Sequence, residues 1–355
     1  MNPLENQLEY PFGDFLPDGG VAFDVAPGIR WLRMPLPFAL DHINLWLLRD
    51  RIDGREGWTV VDCGIARSEV KSMWEQVFES GMEGLPVLRV LVTHMHPDHV
   101  GLSKWLCERF DVPLAMTITD YTMARLFSDG GAQGGATGGE RAAGFFRKHG
   151  VVDPESLEKL RARKTYYSDL VPGMPDHFDR IADHDVVRIG DHDWQVIIGQ
   201  GHSPEHASLY CDALQVFIAG DMVLPRISTN VSVSDMEPNA DPLKLYLDSL
   251  DKYAFIPEDA LILPSHGRPF KGVHVRIAQQ RDHHAERLAE VRQACAEGPQ
   301  SASDIVPIMF KRKLDLHQMT FALGEALAHL HTLYYRGELR RYTDDDGVIR
   351  FAPAS

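Results

Sequence analysis

His94-Met95-His96-Pro97-Asp98-His99 places three imidazoles and a carboxylate within six residues. Imidazole nitrogen and carboxylate oxygen suit Zn2+, Fe2+ or Mn2+, and the lack of thiolate argues against a closed structural zinc site. So dense a cluster has few structural uses, and it reads as metal-binding. Three more polar residues have a related setting: His202 in Gly199-Gln200-Gly201-His202-Ser203-Pro204, Asp221 in Gly220-Asp221, and His266 in Pro264-Ser265-His266-Gly267. Alone, Asp221 reads as a turn or capping residue, and His202 and His266 as hydrogen-bonded loop histidines. Beside the anchor at 94–99 they become candidate ligands. Five donors would serve one metal ion, and seven are enough for two.

The elements that must position these residues follow from the apolar pattern. Val87–Val92 is a β-branched and leucine run that predicts a buried strand, and it leads straight into the histidine motif. At a strand terminus the chain turns, so neighbouring side chains can converge instead of alternating between faces. Trp194–Ile198, Gln215–Ala219 and Ala260–Leu263 predict the strands that precede His202, Asp221 and His266. Ile29–Met34, His42–Leu48, Trp58–Val61, Pro113–Met116, Val186–Ile189 and Ala207–Cys211 predict further strands. Helices are expected at about 67–80, after the motif to about Phe110, from Thr119, at 241–253 and at 273–297. The order suggests two sheets covered by helices on the outside, an α/β (α+β) class. Gly130–Gly139 reads as a linker or mobile loop, opening an insertion of about 130–184. Phe145, Phe146, Tyr166 and Tyr167 in it either line an apolar lid or pack a small core of the insertion's own, and a dimer surface is the other use of such a segment. Ser301–Phe310 and Met319–Arg336 look helical, and Glu338–Phe351 looks like a hairpin, a winged-helix-like order.

Composition sets limits. The 355 residues suggest about two domains, here 1–282 and 283–355. With 36 Lys+Arg against 51 Asp+Glu the formal charge is −15, which disfavours a polyanion partner. Residues 301–355 hold seven basic and seven acidic side chains, with Asp344-Asp345-Asp346 at the expected wing tip, so a packing or site-covering role is preferred there over DNA binding. No run approaches the roughly 18 apolar residues of a spanning helix, so no membrane partner is expected. Residues 1–20 lack a basic and apolar leader pattern, and Cys63, Cys107, Cys211 and Cys295 form no CxxC pair, which favours free thiols in a reducing cytoplasm.

The complete series, HxHxDH at 94–99 and then His202, Asp221 and His266, resembles the metallo-beta-lactamase-fold hydrolase superfamily over roughly Ile29–Arg276. The resemblance implies a four-layer αβ/βα sandwich with metals at one edge between two sheets. It implies that His94, His96 and His202 bind one metal ion, that Asp98, His99 and His266 bind a second, and that Asp221 bridges. It implies that Asp62 orients a ligand loop. An aspartate at 221, where antibiotic-hydrolysing zinc enzymes commonly use Cys, looks like the glyoxalase-II-like and lactonase-like branches. Their usual GHTxGH run is here Gly201-His202-Ser203-Pro204-Glu205-His206, with Glu205 replacing a glycine and His206 expected to orient the loop. The C-terminal part resembles the appendage of the beta-lactamase-like-2 branch, which includes an endoribonuclease.

The expected function is a hydrolase with two divalent ions, zinc by default and iron or manganese as alternatives. Their bridging hydroxide would cleave a thioester, lactone or related ester of a small-molecule substrate. Asp98 is the expected catalytic residue, orienting that hydroxide and shuttling its proton. Competing readings are a phosphodiesterase or RNase, a di-iron redox protein, and a winged-helix regulator with a sensing metal domain.

Overall fold

Strands that are apolar on both faces need cover on both sides. The chain provides it with two sheets packed face to face and helices outside. The computed structural model describes residues 2–129 and 138–354, so most of the Gly-rich segment expected as a linker, 130–137, lies outside the described residues. The first sheet has seven strands in sequence order: β1 (Phe23–Ala26), β2 (Ile29–Pro35), β3 (His42–Ile52), β4 (Arg55–Val61), β5 (Val87–Leu91), β6 (Leu114–Met116) and β7 (Asp179–Arg180). β1 to β4 pair antiparallel and β4 to β7 parallel. The second runs β12-β11-β10-β9-β8, from β8 (Val186–Ile189), β9 (His192–Gly199), β10 (His206–Cys211), β11 (Val216–Gly220) and β12 (Leu261–Pro264). Only its β11–β12 pair is parallel.

β3 shows how one strand serves two layers. Trp46 and Leu48 join the sheet-to-sheet core with Trp31, Trp194, Val196 and Leu209. Ile43, Leu45 and Leu47 point the other way, into the core beneath the helices. That outer layer is α1 (Ser68–Gln76), α2 (Pro97–Val100), α3 (Ser103–Phe110) and α4 (Ile118–Ser128), which contribute Trp74, Val100, Leu106 and Phe127.

The inserted segment forms α5 (Gly139–Lys148), α6 (Pro154–Ala162) and α7 (Tyr166–Leu170) and ends in β7, an edge strand that composition did not announce. Among the described residues its apolar side chains join the two neighbouring cores. Phe145 and Phe146 join the cluster beneath the C-terminal helices, whereas Tyr167 joins the first sheet's helical layer. The second sheet is covered by α8 (Pro242–Asp251), α9 (Val273–Glu297), α10 (Ala302–Met309) and α11 (Leu316–Tyr335), followed by the hairpin β13 (Leu339–Thr343) and β14 (Ile349–Pro353). The boundary expected at 282/283 falls inside the continuous helix α9. Ser301 and Asp315 start α10 and α11 through reciprocal capping boxes. No helix among the described residues is long and apolar enough to cross a membrane.

The layer around the C-terminal helices buries imidazoles in neutral form. Burial pushes His149 down to about 3 and His329 to about 4, and it also takes His284 and His331 below the usual histidine range. Once unfolded, these rings take up protons below about pH 6.5, so the unfolded state holds more protons and stability falls as pH drops. Buried Glu325, raised to about 7, Asp120, raised to about 6, and the raised His99 and His266 pull the other way, but with His42 lowered to about 4 and His206 to about 3 the lowered histidines outnumber them. The urea midpoint of EDTA-treated protein is expected to fall between about pH 7.5 and pH 5.5, and a rising midpoint would contradict this balance.

Candidate metal centre

Each candidate ligand stands just beyond a strand end. β5 delivers the 94–99 turn, in which Pro97 opens α2 and sets Asp98 and His99 in its first turn. β9 leads to His202, β11 to Asp221 and β12 to His266. The fold brings all seven together in two adjoining groups. His94, His96, His202 and Asp221 form one, and Asp98, His99 and His266 the other, with the donor atoms of each group within 4.8 Å of one another.

In the first group three ring nitrogens form a near-equilateral triangle. His94 Nε2 lies 2.9 Å from His96 Nδ1, His96 Nδ1 lies 3.1 Å from His202 Nε2, and His202 Nε2 lies 3.1 Å from His94 Nε2. His202 Nδ1 donates to the Asn230 carbonyl at 2.8 Å, so in the neutral ring Nε2 carries a lone pair toward the triangle. Asp221 Oδ2 is 3.2 Å from the same nitrogen. In the second group His99 Nε2 lies 3.7 Å from Asp98 Oδ2 and 3.6 Å from Asp221 Oδ1. His266 Nε2 lies 3.4 Å and 3.5 Å from those two oxygens. Asp221 therefore turns one oxygen toward each group.

The donor set fits cations. His99 Nε2 and Asp221 Oδ1 are buried without a hydrogen-bond partner, and orphaned buried polar atoms are rare unless an ion or water meets them. A single proton can bridge two of the facing nitrogens but not all three. A tetrahedral ion with bonds of about 2.0–2.1 Å would space nitrogen ligands by roughly 3.3 Å, close to the triangle seen here. Burial, reinforced by the neighbouring imidazoles, holds His94 and His96 well below the usual histidine range, which keeps their lone pairs free. Burial opposes charge on His99 too, but Asp62, Asp98 and Asp221 outweigh it and raise its pKa. At Asp221 burial favours the neutral acid, yet His266 and His99 draw the group well below the carboxylate range.

A second set of side chains aims the ligands. Asp62 accepts from His99 Nδ1 at 2.7 Å and from the Thr93 amide at 2.8 Å, which locks the imidazole and the start of the motif. It does so from a left-handed backbone, φ 63°, which aspartate tolerates better than most residues. His206 contributes no donor to either group. Its Nε2 accepts the Asp221 amide at 3.1 Å and so orients the loop, as expected. Gly220 makes room for that ring: a Cβ there would lie 2.3 Å from His206 Nε2, and its φ is +55°. His266 Nδ1 donates to the His42 carbonyl at 2.8 Å, while the Asn44 amide holds the Pro264 and Gly267 carbonyls.

Asp120 went unnoticed in the sequence. It is fully buried and accepts the Met95 amide at 2.9 Å and the Glu205 amide at 2.7 Å, tying the 94–99 turn to the His202 loop. The signal available was an aspartate among buried neighbours in the first turn of α4. Glu205, the departure from the GHTxGH run, accepts from the Thr119 amide at 3.2 Å and thus caps the same region of α4.

The wider comparisons agree with this geometry. The chain is 22% identical over 328 residues to "Probable metallo-hydrolase YqjP" of Bacillus subtilis (strain 168), covering 89% of this chain and 95% of that protein. A beta-lactamase domain protein from Burkholderia ambifaria has 58% identity and a TM-score of 0.93, over 99% of this chain and all of that one. A metallo-beta-lactamase family protein from Thermus thermophilus has 25% identity and a TM-score of 0.74, over 93% of this chain and all of that one. The family model described as Metallo-beta-lactamase-like, C-terminal domain, matches residues 288–354. The model of the Metallo-beta-lactamase superfamily matches residues 39–266, from the loop before β3 to the last histidine of the second group, and the chain belongs to that superfamily.

Proposed function

We propose that this protein is a metal-dependent hydrolase that holds two divalent cations and cleaves an ester-type bond, a thioester, lactone or related ester of a small molecule. The observation that carries the reading is Asp221, whose two oxygens face separate groups of nitrogen and oxygen donors. A cation pair held there would acidify a water toward neutral pH and polarise a carbonyl oxygen. His94, His96 and His202 would hold one ion, Asp98, His99 and His266 the other, with Asp221 shared. Zinc is the default choice for these donors, and iron or manganese would also fit.

Asp98 is the proton carrier in this reading. Its side chain is 19% exposed, against 0% for His99 and 3% for His266, so it can exchange protons with solvent while facing both rings. His94, His99, Asp221 and His266 are buried, and low exposure to water strengthens charge interactions among them. The formal charge of −15 speaks for a small acyl substrate over a nucleic acid.

Elemental analysis of purified protein is expected to find close to two divalent ions per chain and a loss of at least one in Asp221→Ala. Removing Asp62 should weaken metal affinity by about 10–100-fold in a chelator competition, because His99 loses its anchor. Asp98→Asn should lower kcat by about 100–10,000-fold on any ester substrate the protein accepts. Metal-replete protein that is inert toward thioesters, lactones and simple esters would overturn the reading, and cleavage of RNA in place of esters would redirect it to phosphodiester chemistry.

A further inference from the structure

We infer that Arg163, Tyr166 and His317 form a recognition subsite for an anionic group, a carboxylate or a phosphate, carried by the substrate away from the bond that is cleaved. The inference rests on the hydrolase reading above. The residues come from different parts of the chain: Arg163 ends α6, Tyr166 opens α7, and His317 lies in the first turn of α11. Phe38, from the β2–β3 loop that leads to His42, stacks on His317 with ring centroids 4.7 Å apart.

The site lies beside the metal centre. Tyr167, the next residue of α7, donates its hydroxyl to the carbonyl of Met95, between two of the motif histidines. The charge of Asp98 is felt by both Tyr166 and His317.

What the cluster offers is hydrogen-bond donors. The Arg163 guanidinium lies over the Tyr166 ring at 4.2 Å, and its Nη2 is 3.2 Å from His317 Nδ1. A guanidinium only donates. His317 Nδ1 is therefore the acceptor, and the proton of the neutral ring sits on Nε2, which has no hydrogen-bond partner among the described residues. Burial, with help from Arg163, pushes His317 down to about 4, in keeping with a neutral ring. Arg163 Nη1 is buried and also unpartnered, and no carboxylate among the described residues forms an ion pair with this arginine. A cation with an unsatisfied donor is completed by an oxyanion, and guanidinium geometry matches carboxylate and phosphate alike. A cationic substrate would be repelled, and an apolar one would leave the Arg163 Nη1 donor unsatisfied. In a protein of formal charge −15, a local positive group favours capture of an anion at this point of the surface.

The test uses three 4-nitrophenyl esters of equal chain length, ending in a carboxylate, a phosphate or a methyl group. Wild-type protein is expected to favour at least one anionic ester over the methyl ester by tenfold or more in kcat/KM, chiefly through KM, and the two anionic arms show which oxyanion fits. In Arg163→Met and His317→Leu that ratio should fall toward one, while Arg161→Met, an exposed arginine paired with Glu140 and Glu158, should keep it. A wild-type ratio near one for both anions, or variants that slow all three esters alike, would overturn the subsite and mark the cluster as a structural clasp. If none of these esters, and no thioester or lactone, is turned over by metal-replete protein, the hydrolase reading fails separately. Calorimetric titration with glutarate and with propyl phosphate then decides the subsite: binding lost in Arg163→Met upholds it, and no binding by wild type overturns it.

Discussion

Three imidazole nitrogens facing one another at 2.9–3.1 Å set the terms for the rest of the molecule. Lone pairs this close repel, and the N–H of a neutral ring can relieve only one of the three contacts, so a cation among them suits the arrangement best. Keeping three strand-end nitrogens this close requires a stiff scaffold. The two-sheet core provides it, since large side chains such as Trp31, Trp46 and Trp194 are fully buried between the sheets and leave little freedom for the strand ends.

The stiffness is passed on through directed hydrogen bonds. Asp62, Asp120, Asn44 and His206 each contact a ligand or the backbone beside one, and each ties that ligand to a different strand or helix. Their polar atoms are buried and hydrogen-bonded, which fixes His99, Asp221 and the backbone beside His94 and His266. The inserted segment and the C-terminal helices are drawn into the same construction. They share one apolar cluster with the second sheet, and α7 is bonded directly to the histidine turn. The inserted segment thus packs on one side against the C-terminal helices and on the other beside the histidine turn.

Much of this was legible in the residues. Every main strand of both sheets coincides with an apolar run, because the two-residue period of a strand and its burial both leave their mark on composition. The seven donors could be picked out because HxHxDH is dense and because the other three follow such runs directly. β1 and β7 escaped notice since short edge strands carry little apolar pattern. Asp120 escaped for a different reason: an aspartate near a helix start looks like ordinary capping, and only the packing of α4 against two loops reveals its bonds.

The line between chain and fold runs through distance. Residue types and local spacing were sufficient to name the chemistry, a nitrogen and oxygen donor set at strand ends, because ligand preference and strand periodicity are local properties. Which oxygen of Asp221 faces which group, that Phe145 and Phe146 serve the C-terminal helices, and that Arg163 meets His317 some 154 positions away were settled only by packing. Contacts of that kind depend on how whole sheets and helices stack, and no short stretch of sequence encodes the stacking of another.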